Sequence, residues 1–419
     1  MTHSWVSSWK PYWKGLVVLG CLSASAACTV RDPVAFITTE DGGGGPVASA
    51  DGGPKPSSDD LEAFCAATGP MLLVGDSVTG AEVCSGHLAE RAFRFALCTC
   101  ERLSLSATMT TDAFRSSQGL YIPGGEGGSV ATNGGVAAND LLKVGGGLSA
   151  GGTEGISLGS GLTVGGGLYS GGPLIGNVSA QVTGDAWVRG DVGLASLTVE
   201  GKLAVPAGRV MSGAVTASEV RREPVDSVAP CACDEGARLD IRGLIENHAR
   251  TNHNAAAGLD ASTLEGFHGE RTLELPCGRF FLTRIEGQGR LNLVVRERTA
   301  LFVRDSITVG ERLSVEVVPP GELDLFIGGD VTVAGQFLLG SPEAPARVRV
   351  YSAGTGALVI SAGSVLAGNV YAPGAALNIS GNAEVFGSVF VRKIESSGGL
   401  ALHYDEDVLS LGRACASAK

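Results

Sequence analysis

The block Val-Gly-Gly-Gly-Leu stands at Val144–Leu148 and again at Val164–Leu168, 20 residues later. Looser copies follow from Val182 to Val188 (Val-Thr-Gly-Asp-Ala-Trp-Val) and from Val199 to Leu203. A unit this short buries nothing alone, so it must stack on its neighbours, and a period near 20 residues is the mark of a solenoid. Glycine is 63 of 419 residues, about twice the ordinary share of about 7%. In a helix each would cost about 1 kcal/mol, which excludes helical repeats. The lack of a strict three-residue period excludes collagen. Flexible low-complexity chain is the competing reading of residues 116–222. Against it stand Val, Leu, Ile and Trp at strand-like spacing.

The expected fold is therefore all-β: a parallel β-helix with inward Val, Leu and Ile stacked coil on coil. Glycine is expected to supply positive φ at tight corners, and the ends would be open sheet edges that need cover. Residues 271–410 form a second stretch with richer apolar content. There Leu301-Phe302-Val303, Leu325-Phe326-Ile327, Val348–Tyr351, Val370-Tyr371 and Val389-Phe390-Val391 recur every 19–24 residues.

The N-terminus carries its own signal. Lys10 and Lys14 precede a short apolar run, Gly15–Leu22, and small residues, Ser23–Ala27. Cys28 follows directly. This resembles the lipidation box of bacterial lipoproteins and predicts a signal peptide over 1–27 with lipid on Cys28. Two other readings stay open: Cys21 behind Val18-Leu19-Gly20, or plain cleavage after Ala26. Thr29 is not the Asp that resembles an inner-membrane retention signal, so the expected location is the outer membrane, periplasmic or surface-facing. Residues 28–60, rich in Gly, Pro, Ser and Asp, read as a flexible tether.

The chain has 10 cysteines. Setting aside Cys21 and Cys28 leaves Cys65, Cys84, Cys98, Cys100, Cys231, Cys233, Cys277 and Cys415, an even set that reads as disulfides in an oxidising compartment. Cys98-Thr-Cys100 and Cys231-Ala-Cys233 matter most. Residues two apart on a strand share a face, and neither pair closes easily on itself, so each cysteine should reach a distant partner. A four-thiolate zinc site competes, although such sites prefer two to four intervening residues. No metal or other cofactor is expected.

Between these landmarks the chain divides further. Residues 61–115 read as a cysteine-bearing cap with helices over Leu61–Ala67 and His87–Leu97, the latter with Leu88, Ala92, Phe95 and Ala96 on one face. Residues 223–270 read as a helical insert, with a helix from Ile241 to Arg250 and an apolar stripe of Ile241, Leu244, Ile245 and His248. Residues 411–419 are a tail. His248, His253 and His268 match no metal-ligand spacing and read as ordinary histidines. Asp305 and Asp330 fall at matching places in successive repeats. They read as turn residues, or alternatively as a carboxylate pair for polysaccharide chemistry. Phosphate-loop, His-Glu-x-x-His, nucleophile-elbow and calcium-loop signatures are missing from the sequence, and no catalytic residue is assigned. Net charge is −12 with no basic cluster, which argues against nucleic acid as a partner.

Gly368–Pro373, Ser380–Gly387 and His403-Tyr404-Asp405 resemble a C-terminal β-helix domain of unknown function, found in pilus-associated proteins and in predicted bacterial lipoproteins. The cap, glycine-rich middle and Cys-Ala-Cys interruption extend the likeness over nearly all of the mature chain. The coils are similar in style to bactofilins. The resemblance implies a non-enzymatic envelope protein, anchored to membrane by lipid, presenting a β-helix to envelope proteins or polysaccharide. It supplies no catalytic residues. A polysaccharide lyase or hydrolase and a polymer-forming scaffold are the alternatives.

Overall fold

The computed structural model describes residues 37–38, 58–67, 72–74, 81–360 and 364–411. The expected signal peptide, Cys28, most of the tether and Cys415 lie outside these residues.

The described chain is nearly all β, a parallel solenoid of about 14 turns. The repeats stack in register. Val144 pairs with Val164, Val164 with Val182, and Val182 with Val199. Leu148 pairs with Leu168, and Leu168 with Ala186. Three-residue strands with a buried–exposed–buried pattern, such as Leu142–Val144, turn two side chains inward and one out.

Most glycines in these corners serve a purpose other than the one expected. A Cβ on Gly165 would lie 2.3 Å from the Gly145 carbonyl oxygen, and one on Gly171 would lie 2.2 Å from that of Gly151. Neither has positive φ. Stacked corners approach too closely for any side chain, so glycine is needed for space. Gly155 (φ +70°) and Gly213 (φ +87°) do need the left-handed region.

The two stretches form one solenoid, and the chain enters it in the middle. Residues 61–115 are not all cap: Leu97–Thr99, Leu103–Leu105 and Met109–Phe114 make a complete coil. From there the first half winds outward to a last strand, Met211–Arg221. Residues 222–264 then run back along the side of the solenoid as a strap. The second half starts at the far end, with Glu265–Phe267 inside the expected insert and Glu270–Leu275 at its boundary, and winds back to Val389–Ser396 and Leu400–Asp405. Those strands dock in parallel on the first coil: Val389 on Leu97, Glu395 on Ser104, and Leu400 on Met109. At the far end Ile37 and Thr38 pair antiparallel with Leu273 and Thr272, so part of the expected tether is a strand.

Among the described residues three helices of eight residues each lie outside the coils, beside a shorter one, Asn254–Ala257. Helix α1 is Ser58–Cys65, α2 is Ser85–Ala92 and α3 is Ile241–His248. Asp240 caps α3, its side chain accepting from the Gly243 N–H at 2.9 Å. Helix α2 stops short of the expected Leu97 because Leu97–Thr99 is claimed by the first coil. All four residues of the expected α3 stripe are buried.

Candidate functional site

Alternation along each strand makes two cores. Inward residues such as Leu301, Leu325, Val350, Val370, Val389 and Leu97 fill the solenoid bore as one column. Their outward neighbours form a second column: Phe281, Phe302, Phe326, Tyr351, Tyr371, Phe390 and then Cys98, each paired with the next. Phe302 and Phe326 stack at 5.0 Å, and Phe326 and Tyr351 at 4.8 Å. This aromatic ladder is buried because α2 and α3 pack over it with Leu88, Phe93, Ile241, Leu244 and Ile245. It explains why second-half strands read as unbroken apolar runs, since strands covered on both faces lose their alternation.

The strap is fastened to this face along its length. Tyr169 Oη donates to the Asp226 carbonyl at 2.7 Å, and Asn133 exchanges two hydrogen bonds with the Cys231 backbone. Cys98 bonds to Cys231 and Cys100 to Cys233, in parallel rungs. The Leu239 N–H then donates to Tyr371 Oη at 3.0 Å. At the far end Cys65 bonds to Cys277. Cys84 is disulfide-bonded as well. The described cysteines of the expected set are thus all in disulfides, each with a distant partner where the partner is described.

The histidines separate. His248 is buried and stacks on Phe302 at 4.3 Å. His253 Nδ1 accepts from the Arg279 N–H at 2.9 Å while Nε2 faces the Asp60 carboxylate at 3.3 Å; Arg279 also pairs with Asp60. His268 is exposed. Among the described residues no group of three or more His, Cys, Asp or Glu is placed to hold a metal.

Burial, with the Arg279 charge second, pushes the His248 imidazole down to about 3. Its unfolded value is near 6.5, so the unfolded chain takes up a proton that the folded chain refuses. Stability present above pH 6.5 is therefore lost as pH falls toward 3. By pH 4.5 the loss from this group is about 3 kcal/mol. The variant His248→Phe, which keeps a ring against Phe302, should lose that much less stability than the parent between pH 7 and pH 4.5. Equal losses, measured by denaturant titration at both pH values, would remove this assignment.

Asp305 and Asp330 are not register partners. Ile307 pairs with Val331, which sets Asp330 level with Ser306 and Asp305 level with Gly329. Asp330 Oδ1 accepts from the Thr355 and Gly356 N–H groups, both at 2.8 Å, as a corner residue does. Asp305 lies 3.6 Å from Arg284 and 3.4 Å from Arg304.

A polar cluster lies at the junction of the halves, away from the expected carboxylates. His403 Nδ1 is 2.7 Å from Asp112 Oδ1, and Nε2 is 3.0 Å from Glu384 Oε1. Tyr121 Oη and the Gly124 N–H donate to Asp112 Oδ2 at 2.8 and 2.9 Å. Tyr121 packs against His403 at 4.2 Å and Phe386 at 5.5 Å. Burial pushes the Asp112 carboxyl up, but hydrogen bonds from His403, Gly124 and Tyr121 outweigh it and leave it below its usual value. Burial and then Asp112 push the Tyr121 hydroxyl up. Both ring nitrogens, both Asp112 oxygens and the tyrosine hydroxyl are engaged, which suits a clamp between Met109–Phe114 and Leu400–Asp405. The register of His403 on Asp112 comes only with the docking of the two halves. Sequence spacing of 291 residues carried no sign of it.

A second buried cluster braces the same face: Arg349 meets Asp324 through two bonds, of 2.6 and 3.0 Å, and Glu322 at 3.2 Å.

Residues 232–411 match a family described as a domain of unknown function, DUF7305. The match begins at the strap disulfides and covers α3 and the second half of the solenoid, less than half of the chain and narrower than the resemblance implied. No curated protein and no solved structure matches the chain.

Proposed function

We propose that this chain is an exported envelope protein, anchored by lipid at Cys28, whose solenoid presents a structural surface for adhesion or assembly and performs no reaction of its own. The observation that carries the reading is the disulfide set. Three bonds tie segments 133 and 212 residues apart, and bonds of this kind persist in oxidising compartments. Polar clusters that elsewhere mark catalysis are used here between coils, in His403–Asp112–Glu384 and in Arg349–Asp324. Among the described residues no helix is long and apolar enough to cross a membrane. Several acyl chains on one cysteine hold firmly where one alone is marginal.

Cysteine pairing makes the proposal testable in one experiment. Cys84 is bonded, yet Cys65, Cys98, Cys100, Cys231, Cys233 and Cys277 pair among themselves. If Cys28 carries lipid and Cys21 leaves with the signal, the partner of Cys84 can only be Cys415. The packing of α2 beside Glu406–Leu409 supports this. Non-reducing peptide mapping of protein purified from membranes should find Cys84 joined to Cys415 and an acylated N-terminal Cys28. The Cys28→Ser variant should leave the membrane fraction. A Cys84–Cys28 peptide, or an unmodified Cys28, would end the lipid-anchor reading.

A further inference from the structure

We infer that the bare end of the solenoid, the coil that includes Met211–Arg221, is an interface with a second copy of this chain, joined end to end about a two-fold axis. The inference does not depend on lipid at Cys28. The 11-residue strand Met211–Arg221 pairs with Val192–Ala204 along one edge. Among the described residues no strand pairs with its other edge. The strand holds no proline and ends the stack, its pairing interrupted by register shifts between Gly193 and Ser196 and between Val199 and Lys202 of its partner; an unpaired edge is what soluble proteins cover or blunt.

Its inward positions are apolar and unfinished. Met211, Val215, Ala217 and Val220 continue the columns of Val192, Leu197, Val199 and Leu203. Those four predecessors are at most 2% exposed. Val220 is 43% exposed and the adjacent Val210 is 62% exposed; Met211, Val215 and Ala217 are only half-buried. The helices and the strap lie along the side, and among the described residues no strand covers this end.

Three observations select a second copy as the occupant. The unfinished columns belong to all three strand stacks of the coil, so a single added strand covers one side and only another coil of like cross-section covers all of them. The opposite end of the chain is taken: Ile37–Thr38 pairs there, and Leu259 and Leu264 are buried against it. The matching open end is therefore the same end of another molecule. Coil-on-coil docking without local chain continuity is also already present, where Leu400–Asp405 sits on Met109–Phe114. The charges around the open end are of both signs: Glu219 pairs with Lys202 and Arg221 within one copy, and Glu200, Arg222 and Glu223 adjoin them in sequence. Two copies can meet there, although the chain carries −12 overall. A contact between identical ends closes on itself and gives a dimer, where unlike ends would give a filament.

The test is sedimentation of the disulfide-bonded mature chain across a wide dilution series, in detergent where lipid is attached, with amide exchange followed over 211–221. The expected result is a dimer that dissociates on dilution, with edge amides exchanging about tenfold or more faster in the monomer. Val215→Lys and, separately, Ala217→Asp place a charge in the joint and should give monomers with all disulfides and far-ultraviolet dichroism retained. Exchange on dilution of the parent needs no variant to fold. A parent that stays monomeric at every concentration, growth beyond a dimer, or a dimer whose 211–221 amides stay unprotected would overturn the inference.

Discussion

Replacing all four of Cys98, Cys100, Cys231 and Cys233 with serine should lower unfolding stability by about 5 kcal/mol, while replacing one rung alone should cost far less. Each rung joins residues 133 apart. A bond closing a loop of that length restrains the unfolded chain strongly, by a term that grows only with the logarithm of loop length. The two rungs close essentially the same loop. Once Cys98–Cys231 is formed, Cys100–Cys233 removes little further freedom, and the reverse holds equally. The pair should therefore be markedly non-additive, with each single-rung variant close to the parent and the quadruple variant well below both. Denaturant unfolding of the three variants under oxidising conditions measures this. Equal, additive losses would show that each rung acts through local packing and not through the loop. The Cys65–Cys277 bond closes a different and longer loop of 212 residues, so its removal should add to the quadruple variant's loss.

Phe326→Ala should cost about 3–5 kcal/mol, the usual range for a large aromatic side chain lost from a packed core. Phe326 is 0% exposed, stacked between Phe302 and Tyr351 and roofed by α3. Trp187 occupies the same outward column of stacked strands in the first half, where no described helix roofs it, and is 40% exposed. Trp187→Ala should cost about 1 kcal/mol or less. The contrast separates a roof effect from a column effect. If both substitutions cost the same, the outer layer of helices contributes nothing to holding the second half together. Thermal and denaturant midpoints of the two variants, read against the parent, decide it.

Sequence carried the coils well. Val144, Val164, Val182 and Val199 were legible as a column because an inward position repeats its chemistry at every turn. Helix α3 was legible through its buried stripe of Ile241, Leu244, Ile245 and His248. What stayed hidden is what depends on long-range order. A local period cannot reveal that Leu400 lands on Met109, because either half could end or continue at that point. The first strand of the first coil was masked for a related reason: Cys98 lies outward between Leu97 and Thr99, and two inward residues are too few to show a period. The Phe302 and Phe326 recurrence was visible, but its direction was not. A strand buried on both faces gives no alternation to say which side chains point in. The pairing of Cys98 with Cys231 follows from the path of the strap, which spacing alone does not encode.

The chain begins its solenoid in the middle and closes it when the last coil docks on the first. Thr110 and Ala401 are direct register partners across that junction, and neighbouring strands lie about 4.8 Å apart, within reach of a disulfide. Thr110→Cys and Ala401→Cys introduced together should form a bond identified as a single linked peptide, with the native pairing unchanged. Two free, alkylatable thiols at 110 and 401 in the folded, oxidised protein would contradict the account.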